Sequence, residues 1–222
     1  MPRVSREQTA TNRQTIEAVS ARLFREHGID GVSVADLMAA AGLTHGGFYG
    51  HFASKDDLAG VACEHAFAES ARQRAGWLAR AGNQAAPMQA FVERYLSVRH
   101  RDSVGPGCPA VALAGDVSRQ PHDKPVSVAY LRGIKSMVAT IKALANGGVP
   151  TSAAGIAEAA DNAALVRMAT MVGALVLARA TKGDPISAQI LDAARAALVA
   201  GDTPDTTAAR RAPVAAIQTN QG

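Results

Sequence analysis

Apolar residues recur every three or four positions along most of this chain, and stretches that alternate apolar with polar residues are lacking. The pattern predicts helices nearly throughout and no sheet. Ile16, Val19, Leu23 and Phe24 form one stripe on a helix over about residues 11–27, which Gly28 ends. Two short segments follow. Ser33 is placed to cap a helix running to about Ala41, Gly42 to close it in a left-handed conformation, and Thr44 to cap the next at once. Ser54 opens a long helix to about Arg80, with Asp56 and Asp57 in its first turn, where negative charge meets the helix dipole. After a break at residues 82–87, Met88, Phe91, Val92, Tyr95 and Leu96 predict an amphipathic helix ending before Gly105-Pro106-Gly107. Pro109 starts a short helix, and longer ones are expected over about 124–146, 153–181 and 186–200.

Composition agrees with an all-α chain: 48% of the 222 residues are hydrophobic and only 4% aromatic, enough for a packed core. The pattern divides it into a basic arm at 1–10, a small helical domain at 11–58, a larger one at 59–200 and a loose tail at 201–222. Two cysteines, Cys63 and Cys108, suggest reduced thiols in a cytoplasm. The N-terminus has no apolar run of a signal peptide, and the longest apolar stretch, 163–178, is broken by Arg167 and shorter than the ~20 residues of a membrane span. A soluble cytoplasmic protein without a membrane partner is expected.

The tight turn at 41–44 makes its two helices cross steeply, so that the second can protrude into a DNA major groove about 12 Å wide. Thr44, His45, Gly46 and Gly47 fill its first turn. Each glycine costs a helix about 1 kcal/mol relative to alanine, which suggests a need for close approach. Thr44 and His45 are candidate base or phosphate contacts, and Tyr49 and His51 offer polar groups to the backbone. Ser33, at the preceding cap, joins the same DNA-binding set. Tyr49 and His51 could instead be core-edge residues. Lys55, at a helix start, suits a phosphate; Arg3 and Arg6 either track the DNA or fray. Net charge is +4, but residues 1–60 carry six basic and seven acidic residues, so affinity must come from placement.

The run Ile16-x-Ala18, Leu23-Phe24, Gly28, Gly31-Val32-Ser33-Val34, Ala41-Gly42-Leu43-Thr44, Gly46, Phe48-Tyr49, His51-Phe52, Ser54-Lys55 and Leu58 resembles the N-terminal domain of TetR/AcrR-type transcriptional regulators. The resemblance implies a three-helix helix-turn-helix DNA-binding domain followed by a helical ligand-binding and dimerisation domain. It also implies a homodimer on palindromic double-stranded operator DNA, usually repressing, released by a small-molecule effector. Leu37-Met38 stands where the family often has Ile-Ala, and Gly50 replaces a commonly polar or charged residue. Beyond about residue 58 only helix count and layout are similar, so the effector does not carry over.

The segment 169–181 is apolar on nearly all sides, which asks for burial by a second partner. Ala169, Gly173, Leu175 and Val176, with Ile190, Leu191, Ala194 and Leu198, fit a four-helix dimer interface; a large intrachain core is the alternative. Phe91, Tyr95, Tyr130, Ile134, Met137, Met168 and Met171 are candidate effector-pocket residues or plain core, with Arg167 a handle for an anionic group. Cys108, before Pro109, sits at a helix cap that could lower a thiol pKa, so a redox or electrophile switch stands beside a merely space-filling role. No glycine-rich phosphate loop, His-Glu-x-x-His run, Cys-x-x-Cys pair or carboxylate cluster is present. No catalytic residue, metal or cofactor is expected.

Overall fold

The computed structural model describes residues 5–81, 86–148 and 161–200, and these are helical with no strand among them. Helix α1 (Arg6–His27) begins earlier than its apolar stripe suggests. Ser5 caps it, its hydroxyl accepting from the Gln8 amide at 3.1 Å. Residues 6–10 are therefore the first turns of α1 rather than an arm, while Arg3 and the 201–222 tail lie outside the described residues. Gly28, at φ +79°, ends the helix and returns its N–H to the Phe24 carbonyl. Helix α2 (Val34–Ala40) is fixed by a full capping box: Ser33 Oγ accepts from the Asp36 amide, and the Asp36 carboxylate accepts from the Ser33 amide. Gly42 turns the chain at φ +71° into a 3₁₀ helix, His45–Gly50.

Helix α3 (Lys55–Ala81) runs from this small domain into the larger one. The first core gathers Ile16, Phe24, Leu37, Met38, Phe48, Phe52 and Leu58, and continues along α3 to Ala66. It also takes in Leu113, Val126 and Ala129 from the second half, so the small domain is welded to the body. The body contains α4 (Pro87–Tyr95), α5 (Val98–Asp102), α6 (Pro109–Ala112), α7 (Ala114–Val117), α8 (Pro125–Ala145), α9 (Asn162–Ala180) and α10 (Ile186–Ala200). The helix expected from Met88 onward is thus two, broken at Leu96 where Ser97 caps α5. The predicted start of the penultimate helix, 153–160, lies outside the described residues.

Phe91, Tyr95, Ile141, Leu144, Met168, Met171, Leu175 and Leu191 form the second core. By length and composition α9 is apolar enough to cross a bilayer, against the expectation from its shorter apolar run. It packs between α8 and α10, with Met168, Met171 and Leu175 buried. Helices α3 and α8 approach closely because Gly60 meets Pro125 and Gly133 meets Phe67. A Cβ on Gly133 would stand 2.3 Å from the Phe67 ring. Phe67 touches both cores, so the ring has little room to yield. Gly133→Ala should therefore lower stability by about 1–3 kcal/mol in urea unfolding; an unchanged midpoint would show that α3 and α8 can separate freely.

Candidate nucleic-acid interface and ligand cavity

Phe48, fully buried, and Phe52 anchor the 3₁₀ helix from beneath, leaving its outer surface open. Thr44, His45, Gly46, Gly47 and Gly50 are all exposed, and Tyr49 is 70% exposed with its ring edge-on to Phe48 at 5.2 Å. Tyr49 is no core-edge residue; His51 is half-buried. Thr44 has the extended backbone of a cap but makes no capping bond, so its hydroxyl is unspent, a departure from the predicted cap. A Cβ on Gly46 would meet nothing within 4 Å, and one on Gly47 only ordinary contacts at 3.6 Å or more; neither has positive φ. The fold does not require these glycines.

Two neighbouring groups are held by the fold instead. Arg13 donates to the His51 carbonyl, lies 4.3 Å from the Phe52 ring centroid and pairs with Glu17 at 3.0 Å, so it braces the reader. Ser33 Oγ donates to Asp36 at 2.6 Å, so its hydroxyl serves the α2 cap even though the residue is exposed. Lys55 is the first residue of α3, half-exposed. The adjacent carboxylates are occupied elsewhere, Asp56 by Lys124 and Asp57 by the Ala53 amide at 3.3 Å. Arg6 is exposed at the first turn of α1.

The far end of α1 grips the body. Arg25, its side chain 2% exposed, pairs with Glu69 of α3 at 2.7 Å and donates to the Gly107 carbonyl at 3.4 Å. The Ile29 amide donates to Asp116 at 3.1 Å. Gly105 and Gly107 admit these neighbours: a Cβ would fall 2.1 Å from Glu26 Oε1 at the first, and 2.7 Å from Arg179 Nη2 at the second.

The same loop walls a cavity of about 730 Å³ between α3, α4 and α5, within the range of small-molecule sites. Phe91, Tyr95 and Cys108 line it as expected. A second cavity of about 380 Å³ carries Met137, and Arg74 and Cys108 border both. The other expected pocket residues are placed differently. Tyr130 donates to the Ala110 carbonyl at 2.7 Å, Ile134 packs against the core, Met168 and Met171 are buried in it, and Arg167 lines neither cavity. The polar lining missed by sequence reading is Arg74, Arg80, Arg94, Arg99 and His100. Its signal was present: residues 72–101 hold six arginines and one acid.

His100 is clamped between the Tyr95 carbonyl, 2.7 Å from Nδ1, and the Cys108 amide, which donates to Nε2 at 3.2 Å. Burial pushes its pKa down to about 4, and Arg179 and Arg94 add to the depression. The ring is neutral with its proton on Nδ1.

The proposed dimer residues divide. Leu175, Leu191 and Leu198 are buried in this chain's own core and cannot face a partner; the intrachain core claims them. Ala169 and Val176 are exposed, Gly173, Ile190 and Ala194 are half-buried, and Val166, Leu177 and Ile186 extend the open apolar face.

A short reader braced on a helical head and joined to a helical body with a cavity is a helix-turn-helix arrangement. The family description "Bacterial regulatory proteins, tetR family" matches residues 16–61. The HTH-type transcriptional regulator AcrR of Shigella flexneri is 38% identical over 58 residues, which are 26% of this chain and 27% of that protein, so the match spans about a quarter of the curated relative. A TetR transcriptional regulator from Chloroflexus aurantiacus superposes with a TM-score of 0.68 at 28% identity, covering 87% of this chain and 95% of that one. The reduced form of E. coli NemR superposes at 0.65 with 20% identity, over 85% and 95% of the two chains. Residues 16–61 thus resemble the DNA-binding domain of the TetR family, and the described helices share their fold with solved structures of that family.

His100 makes stability depend on pH. Unfolded, the ring titrates near 6.5; folded, near 4, so the unfolded chain binds more protons between those values and stability falls as pH drops through them. The loss at about pH 5 is about 2 kcal/mol. His100→Gln, which keeps an acceptor for the Cys108 amide, should flatten that slope in urea unfolding at about pH 7 and pH 5; equal slopes for both proteins would place the charge sensitivity elsewhere.

Proposed function

We propose that this protein is a homodimeric, sequence-specific transcriptional regulator, a repressor that leaves a palindromic double-stranded operator when a small-molecule effector enters the larger cavity. The observation that carries the reading is the exposed Thr44–Tyr49 surface, whose glycines answer to no demand of the fold. Thr44 and His45 are offered to base edges, Gly46 and Gly47 let the backbone come close, and Tyr49, His51 and Lys55 reach phosphates. Arg6 stands exposed at the start of α1, and Ser33, its amide and hydroxyl both engaged by Asp36, takes part by fixing the start of α2 behind the reader. A DNA partner implies a cytoplasmic protein, and no cofactor or catalysis enters the scheme.

Dimerisation would run through Val166, Ala169, Gly173, Val176 and Leu177 of α9 with Ile186, Ile190 and Ala194 of α10. A Cβ on Gly173 meets nothing within 4 Å, leaving room for a second helix. Two reader helices would then sit one DNA turn, about 34 Å, apart.

A thiol switch at Cys108 is the second reading. It is favoured by the position of Cys108 on the wall of both cavities, but the residue is only 4% exposed, so a reagent must enter as an effector does. Loss of operator binding on mild oxidation, reversed by dithiothreitol and absent in Cys108→Ser, would favour it over reversible ligand binding.

The test begins with DNA selected from random fragments on the purified protein. Gly46→Ala should keep or slightly raise the thermal midpoint, since an exposed helical glycine costs up to about 1 kcal/mol, and weaken operator binding tenfold or more. Lys55→Ala should weaken all sequences alike and reduce the salt slope by about 1 per protomer. Full operator affinity in both variants would remove this surface from the DNA contact.

A further inference from the structure

We infer that the larger cavity takes a small amphipathic organic anion, its acid group held by Arg74 and its apolar body against Trp77, Leu78 and Phe91. The inference rests on the reading of this cavity as the effector site and names the ligand class. Arg74 is nine-tenths buried, borders both cavities, and has no hydrogen bond or ion pair among the described residues. The Phe91 ring lies 5.7 Å from its guanidinium carbon, and Cys108 and Tyr95 are the polar groups near it. Elsewhere in this chain a buried arginine has its partner: Arg25 has Glu69. A buried cation without a counter-charge is costly, and proteins rarely retain one without a use for it.

The surroundings select the partner's sign. Arg80, Arg94 and Arg99 ring the mouth against a single carboxylate, Glu93, which accepts from Gln89 at 2.9 Å. These cations repel a positive ligand and draw a negative one. Burial lowers the pKa of Arg74, a cost that an incoming acid group would relieve. Tyr95 adds a polar group to this wall: its hydroxyl is buried beside the Cys108 thiol, and burial keeps it protonated. Trp77, stacked by Arg94 at 4.0 Å, and Phe91 give a flat apolar surface beside the charge. A purely inorganic anion would leave that surface uncovered, and a neutral lipophile would leave Arg74 unpaired.

Two fluorescent probes with one ring system separate charge from bulk: 1-anilinonaphthalene-8-sulfonate and the neutral N-phenyl-1-naphthylamine. The full-length protein should bind the sulfonate at one site per protomer, at least tenfold tighter than the amine. Arg74→Met should abolish that preference while amine binding stays within about twofold. The apo variant should also melt several degrees higher than the parent, because an unpaired buried charge has gone. Arg74→Lys, which keeps the charge without the fork, should fall between the two. Equal affinity for both probes, or a sulfonate preference that survives Arg74→Met, would overturn the inference. Operator release is scored separately. Sulfonate bound through Arg74 without release leaves the anion site standing and defeats the effector role; release by a neutral compound alone does the reverse.

Discussion

The architecture depends on one buried guanidinium. Arg25 projects from the last turn of α1 into the joint between head and body, where it meets Glu69 and the Gly107 carbonyl, both remote in sequence. Removing one partner of such a pair typically costs about 3–5 kcal/mol, although a packed apolar replacement for both can be neutral. The pair therefore contributes geometry more than stability: it sets where α1, and with it the reader, sits on α3. Arg25 Nε has no partner among the described residues, which fits a contact kept for position.

The Gly105-Pro106-Gly107 loop makes this joint two-sided. From one side α1 presses Glu26 and Arg25 against it; from the other, Arg179 of α9 donates to the His100 and Arg101 carbonyls at 3.2 and 3.1 Å. His100 then holds the Cys108 amide, and Pro106, Gly107 and Cys108 are cavity wall. A ligand that shifts this wall must shift the oxygen that Arg25 holds, and Asp116 passes any movement of the α6–α7 segment to Ile29. Few compliant groups lie between cavity and reader, so the two sites share one mechanical element of the kind that coupling requires.

The short-range chemistry was legible in the sequence. Ser33 with Asp36, Gly28, Gly42, the Ser54 cap and Ile186–Ala200 all express rules acting within about one turn of helix. The same rules could have found the early start of α1, since Ser5 and Gln8 stand at capping spacing. Long-range pairings were not legible. Nothing local says that Arg25 meets Glu69, 44 positions away, or that Leu175 and Leu191 face inward while Val176 faces out. The cavity escaped for the same reason: apolar Met168 and Met171 looked like pocket and are core, whereas nothing local marks Arg74 as the buried residue on the cavity wall. Only the excess of arginine over acid in residues 72–101 hinted otherwise.

If reader and cavity are joined through the α1–loop contact, reciprocity makes DNA alone a sufficient probe of that joint. Amide hydrogen exchange should be compared for the free protein and for its complex with DNA selected by the protein itself. A coupled joint gives altered protection at Ile29, at Gly107 and Cys108, and in the α6–α7 segment, as well as at residues 33–58. Changes confined to residues 33–58, with the loop and Ile29 indifferent to DNA, would contradict it.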